Sequence, residues 1–158
     1  MQKSATTVSI VDSLQRAVAN SYTVFMNYKR YHWNTFGPLF RDIHLLFDEH
    51  ADAILKGIDE FGERVRILSA ESIGSPEEVS RLATAKMAYP NMTVRAMIEQ
   101  AITNHKLVIS EFKDAIKTSD ANNDPGTSDL FIRIIQVHEK ELWFLSQFLA
   151  RNDGLVAT

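Results

Sequence analysis

Apolar positions recur at helical spacing along almost the whole chain, and each run is bounded by turn or capping residues. Leu14, Val18, Phe25 and Tyr28 fall on one stripe with Ser21 and His32 among them, which predicts a first long helix capped by Thr7 or Ser9. Residues 1–8, small and polar, read as a short flexible tail. A second helix is expected from about Pro38 to Ser69, with Ile43, Leu46, Phe47, Ile54 and Ile58 on one side and Gly57 and Gly62 placed where another helix can come close. At roughly 48 Å it is far longer than an average globular helix. Ser75-Pro76-Glu77-Glu78 has the form of a helix start, followed by a single apolar side of Val79, Leu82 and Ala83. Asn91 or Thr93 then caps a third long helix carrying Val94, Met97, Ile98, Ala101, Ile102, Val108, Ile109, Phe112 and Ile116. After a polar stretch from Ser119 to Thr127, with Pro125-Gly126 as a loop signal, a fourth runs through Leu130, Phe131, Ile134, Ile135, Leu142, Leu145, Phe148 and Leu149. The pattern is all-α: four long helices, with a short one inside the long connection from Ser69 to Pro90 that spares the second and third helices a tight hairpin.

Polar groups interrupt this pattern most between Tyr31 and Arg64, which hold three of the five histidines and a spaced series of acids. At about 100° per residue, His44, Asp48, Leu55, Asp59 and Glu63 share an arc of roughly 100° on the second helix. One face thus carries an imidazole and three carboxylates, with His44/Asp48 and Asp59/Glu63 each at i,i+4. Such nitrogen and oxygen donors suit iron, manganese or zinc. Along one helix, however, His44 and Asp59 are ~22 Å apart and cannot hold one ion. His32 lies about as far before the Gly37-Pro38 turn as His44 lies after it, so a hairpin brings those two together. The chain therefore offers two half-sites: His32, His44 and Asp48, and separately Asp59 with Glu63. A twofold dimer with this helix antiparallel to its copy would join them. A solvated acidic face accounts for one such acid, less readily for three in register with two histidines.

The remaining histidines read differently. His50 turns some 160° away from Asp48, toward solvent or an interface. His105 borders the apolar face of the third long helix and reads as packing or solvent-facing rather than a ligand. His138, with Glu139 and Glu141 nearby, has metal-binding chemistry but no partner of matching spacing. The Glu-x-x-His pair that diiron bundles carry on two helices is absent, which argues against an ordinary site within one subunit.

Composition narrows the function classes. The 158 residues suit one domain, with 45% hydrophobic residues, no cysteine and a net charge of −3. Disulfide, zinc-finger and thiol chemistry are excluded. No run is apolar enough to span a bilayer, the start lacks a signal-peptide pattern, and no glycine-rich phosphate loop is present, so a cytoplasmic protein is expected.

The segments His32-Trp33-Asn34, Gly37-Pro38, Ile43 to Glu49 (IHLLFDE) and Ile58 to Arg64 (IDEFGER), at these separations, resemble the ferroxidase signature of the Dps proteins, the dodecameric miniferritins of the ferritin-like superfamily. The resemblance covers nearly the whole chain, including Trp143-Phe144-Leu145. It implies a ferritin-like four-helix bundle with a short extra helix in the long crossover, and a diiron site between subunits. His32, His44 and Asp48 would come from one chain, Asp59 and Glu63 from its mate. Trp33 would lie beside the site and quench oxidising equivalents; the alternative is an ordinary core aromatic. The implied activity is oxidation of Fe(II), with hydrogen peroxide favoured over oxygen, then storage of ferric mineral in a hollow dodecamer and protection from oxidative stress. Zinc can compete for such a His–carboxylate set. Asp120, Asp124 and Asp129 would line threefold pores, or are simply a polar turn with helix-start acids.

Two other readings stand beside this one. Many Dps proteins compact DNA through lysine-rich tails, but here Lys3 is the only base before Arg16, which argues against a nucleoid-compacting role with little catalysis. A purely structural bundle, whose polar face is an oligomer contact, predicts no saturable iron binding.

Overall fold

The computed structural model describes residues 5–150, with side chains from Ile10 onward. Five helices follow one another: α1 (Ala5–Asn34), α2 (Phe40–Ile67), the short α3 (Pro76–Leu82), α4 (Val94–Ala121) and α5 (Pro125–Phe148), with no strand among the described residues. The number and order of elements are those the apolar spacing predicts; several ends differ. α1 begins at Ala5, so residues 5–8 are helical rather than a loose tail, and Thr7 and Ser9 lie inside the helix instead of capping it. Residues 1–4 of that expected tail lie outside the described residues. Pro125 and Gly126 form the first turn of α5 rather than a loop, because proline at the first helical position gives up only an N–H that has no partner there.

The ends of the helices explain the compact turns. Gly37 adopts φ +99° between α1 and α2, a conformation that favours glycine, and the two helices fold back on each other along their length. α2 stops where Ser69 turns left-handed (φ 59°) and the Ala70 amide donates to the Val65 carbonyl at 3.2 Å. α4 ends in the same way at Asn123, with the Asp124 amide donating to the Ser119 carbonyl at 3.0 Å. Ser75 caps α3 in a reciprocal capping box with Glu78, and Thr93 caps α4.

Two layers of contacts fix the direction of the helices. Tyr28 of α1 packs its ring against His50 of α2 and His105 of α4, and His105 meets His138 of α5. One layer along, Phe61 of α2 sits 5.3 Å from Phe112 of α4 and 5.2 Å from Phe131 of α5, centroid to centroid. Passing from the first layer to the second goes up in number on α2 and α4 and down on α5. Thus α2 and α4 run parallel, which only a long crossover allows. That crossover is tied down by three buried asparagines. Asn20 accepts from the amides of Thr84 and Ala85, Asn27 accepts from the Ala88 amide, and Asn104 both accepts from and donates to the backbone of Lys86. Of the two glycines of α2, only Gly57 admits another helix: a Cβ there would lie 3.4 Å from the Ile134 side chain of α5, whereas one at Gly62 would face Ser72 in the crossover.

Asp124 joins α2 to α5. Its carboxylate accepts from the Thr127 amide at 3.1 Å and hydroxyl at 2.6 Å as N-cap, and from Arg64 Nη2 at 2.6 Å. Gly126 leaves room for that guanidinium, since a Cβ would come within 2.9 Å of it. Although partial burial pushes its carboxyl up, the bonds from Thr127 and Arg64 prevail and hold it below the ordinary carboxylate range. Asp124→Ala is expected to cost ~1–3 kcal/mol through the lost cap and the stranded Arg64. Because the folded-state pKa is depressed, this contribution is full above the ordinary carboxylate value and disappears as pH falls through the folded value. Denaturation midpoints of the variant and wild type should therefore converge on acidification.

Candidate metal centre

The α1–α2 hairpin sets His32 and His44 face to face, with ring centroids 3.7 Å apart and planes 20° from parallel. Each ring is held by the other's backbone. His32 Nδ1 donates to the His44 carbonyl at 2.8 Å, and His44 Nδ1 donates to the His32 carbonyl at 2.9 Å. A carbonyl only accepts, so both protons must sit on Nδ1. In the neutral rings, both Nε2 atoms then present lone pairs, and their tautomer and orientation are set before any ion arrives. Phe40 stacks 5.0 Å from His44 and adds an apolar wall.

Asp48 Oδ1 lies 3.9 Å from His32 Nε2, so two imidazoles and one carboxylate converge at this end of α2. Lys29 Nζ holds the same oxygen at 2.5 Å and is the main reason the carboxyl titrates below its usual range. Trp33 is 71% exposed, with Lys29 Nζ 5.9 Å from its ring centre, which rules out a core aromatic.

Asp59 and Glu63 are exposed one turn apart on α2, along a groove shared with Tyr22, Leu55, Arg66 and Ile73. The protomer does not bring them to the histidines. α2 is uninterrupted from Phe40 to Ile67, so ~22 Å of helix separates His44 from Asp59. Of the three acids considered for a pore, Asp124 caps α5 and pairs with Arg64. Asp129 is exposed and pairs with Arg133 at 3.3 Å, and Asp120 is exposed.

A ferritin-like domain profile matches residues 11–154. A Dps structure from Thermosynechococcus elongatus superposes with a TM-score of 0.94 at 42% identity, covering 98% of this chain and all of that one. The DNA protection during starvation protein of Agrobacterium fabrum is 30% identical over 139 residues, 87% of this chain and 85% of its own. This chain belongs to the Dps family. A second Dps structure, from Vibrio cholerae O1, is described as a member of a broad superfamily of ferritin-like diiron-carboxylate proteins, and matches at 26% identity with a TM-score of 0.87 over 92% of this chain and 91% of that one. The architecture is accordingly the ferritin-like four-helix bundle of Dps proteins with its extra short helix. None of the helices among its described residues is long and apolar enough to cross a membrane.

Inside this Dps bundle lies a second group of metal-ligating side chains that sequence reasoning left unpaired. His105, His138 and Glu141 are each 3% exposed or less and offer ligand atoms within 4.8 Å of one another. His50, expected at the surface or an interface, is only 5% exposed, because α2 turns it inward to the Tyr28 hydroxyl at 3.2 Å. Burial pushes His138 down to about 3 and Glu141 up to about 9, so the imidazole is neutral and the carboxyl keeps its proton at neutral pH. The signal in the sequence was His138-x-x-Glu141 on an apolar face, the reverse of the Glu-x-x-His order, with His105 on the apolar face of the neighbouring helix.

Proposed function

We propose that this Dps protein oxidises Fe(II) at diiron sites shared between two subunits and stores the ferric product as mineral inside a dodecameric shell. It thereby withdraws both iron and peroxide from radical chemistry in the cytoplasm. Membership of a ferritin-like diiron-carboxylate superfamily supports iron storage and protection from oxidative stress as the function class. The observation that carries the finer reading is the reciprocal locking of His32 and His44, which aims two neutral Nε2 donors beside Asp48. A pair that served only packing would have no need of two free lone pairs in one place.

The complementary acids, Asp59 and Glu63, lie on the same face of α2, and that face also exposes Leu45 and Leu55 at 42% and 46%. Exposed apolar residues between two half-sites favour a second subunit covering them. An antiparallel copy of α2 would then set Asp59 and Glu63 of one chain opposite the histidines of the other.

Ferrous iron is the substrate. His32 and His44 supply neutral nitrogen donors, while the carboxylates offset positive charge and tolerate the change from Fe(II) to Fe(III). Hydrogen peroxide is the favoured oxidant over oxygen. Its O–O bond takes one electron from each of two Fe(II) ions and, with two protons, leaves as two waters. Asp48 must exchange Lys29 for iron. Trp33, next to His32 and exposed, is placed to take up stray oxidising equivalents. Asp120, Asp124 and Asp129 are the candidates for a pore leading to the shell interior. Zinc would compete for the same donors.

Anaerobic titration should show saturable Fe(II) binding, and stopped-flow mixing should show faster oxidation by peroxide than by oxygen. An assembled variant with His32, His44, Asp59 and Glu63 all changed to alanine should lose both. Wild-type peroxide-driven rates in that variant would sink the site assignment, and absence of saturable binding in wild type would leave a structural bundle. The DNA-compacting alternative turns on Lys3, which lies outside the described residues, and no described feature favours it.

A further inference from the structure

We propose that each subunit holds a second metal site in the middle of its own bundle, where His105, His138 and Glu141 bind one first-row divalent cation, Zn²⁺ fitting best. The site is independent of the shared iron site: its ligands come from α4 and α5, and its neighbours Tyr28 and His50 from α1 and α2.

Three buried atoms point to a missing partner. Nε2 of His138 and both carboxylate oxygens of Glu141 make no hydrogen bond, in side chains that are 0% and 3% exposed. Each such orphan costs ~1–3 kcal/mol, and an apolar residue would avoid that cost. Water-exposed histidines and glutamates need no explanation of this kind, but buried ones left with unshared lone pairs do. One cation accepting a lone pair from each residue relieves the His138 nitrogen and the carboxylate together.

The geometry suits that ion. Glu141 Oε2 lies 3.3 Å from His105 Nε2. In a tetrahedral zinc site with donors at ~2.0–2.1 Å, neighbouring donors stand roughly 3.3 Å apart. His105 and His138 touch through their Nδ1 atoms at 2.8 Å, and the three residues offer ligand atoms within 4.8 Å of one another. Tyr28 reaches His105 Nε2 through its hydroxyl, and His50 Nδ1 meets that hydroxyl at 3.2 Å. Tyr28 thus borders the cluster as a hydrogen-bond partner of His105, with His50 behind it to orient the phenol. Two imidazoles with one carboxylate give a nitrogen-rich set that suits Zn²⁺ over Mg²⁺ or Ca²⁺.

The test uses the assembled variant with His32, His44, Asp59 and Glu63 replaced by alanine, so that zinc at the shared site is not counted. The protein is produced with added zinc, passed over a chelating column and analysed by elemental mass spectrometry. About one zinc per subunit is expected, falling at least tenfold when His138→Gln and Glu141→Gln are added. A parent variant that holds no zinc, or one whose zinc survives both added substitutions, overturns the proposal and leaves a hydrogen-bonded polar cluster only. If the added substitutions prevent assembly, Co²⁺ in the parent variant decides: intense visible bands of a tetrahedral site with imidazole ligands are expected, and the pale spectrum of a hexa-aqua-like ion rejects the site.

Discussion

Two variants, one lacking His32 and His44 and the other lacking Asp59 and Glu63, will each be inactive in peroxide-driven iron oxidation, yet will recover about a quarter of the wild-type rate when co-assembled in equal amounts. The expectation follows from where α2 places its ligands. A site shared across a twofold axis takes its histidines from one chain and its distal acids from the other. When the two variants meet in one dimer, one site is doubly broken, and the other combines intact histidines with intact acids. Random pairing makes half of the dimers mixed, and each mixed dimer restores one of its two sites. A site contained in one subunit has no such route back, because neither variant carries a complete set. The two variants share one backbone, so folding differences between them are tested separately by their own assembly and thermal midpoints. Stopped-flow rates on the mixed shell, compared with the two unmixed shells, read the outcome directly. Additive inactivity in the mixed shell, with mixed dimers confirmed by mass, would show that His32/His44 and Asp59/Glu63 do not serve one centre.

The half-sites were legible because each is local. His44 with Asp48, and Asp59 with Glu63, are one helical turn apart, and helical periodicity alone puts each pair on one face. His32 joined them through a hairpin whose turn is marked by Gly37 and Pro38, and the structure brings its ring against His44. The locking of the two imidazoles was not legible, since it depends on carbonyls that only the folded hairpin sets opposite the Nδ1 atoms. The bundle-centre cluster was missed for a related reason. Its members come from two helices, and a residue such as His105 on an apolar stripe looks like packing until the neighbouring helix is known to present His138 and Glu141. Helix ends shifted where local chemistry was read one way and used another. Pro125-Gly126 resembles a turn, but the left-handed Asn123 and the cap at Asp124 complete the turn first, and proline is left to begin a helix. Asp124 also pairs with Arg64, a contact between residues sixty apart that no local pattern shows.

Changing Phe61 to alanine is expected to destabilise the subunit by ~3–5 kcal/mol, the largest single effect foreseen in the apolar core. Phe61 is fully buried, and with Phe112 and Phe131 it forms a three-ring cluster with centroids 5.1–5.3 Å apart. Those rings belong to α2, α4 and α5, so the cluster is where three helices are keyed together. Aromatic edge contacts add to the area term, and a hole of this size among three helices cannot close by local shifts alone. The position also matters for chemistry. Phe61 lies midway between Asp59 and Glu63, about 200° around the helix from each, so its ring anchors the very turn of α2 that presents both acids outward. Phe61→Leu keeps most of the apolar volume and should lose much less stability. The thermal midpoint of the assembled shell, compared with wild type at equal protein concentration, measures the core effect. Fe(II) affinity of Phe61→Ala, measured well below its midpoint, measures the effect on the acid half-site, and should fall while the His32–His44 contact, read from imidazole nuclear magnetic resonance signals, stays intact. An unchanged midpoint would show that the three rings do not hold α2 in place, and the acids would then owe their position to the partner subunit rather than to the core beneath them.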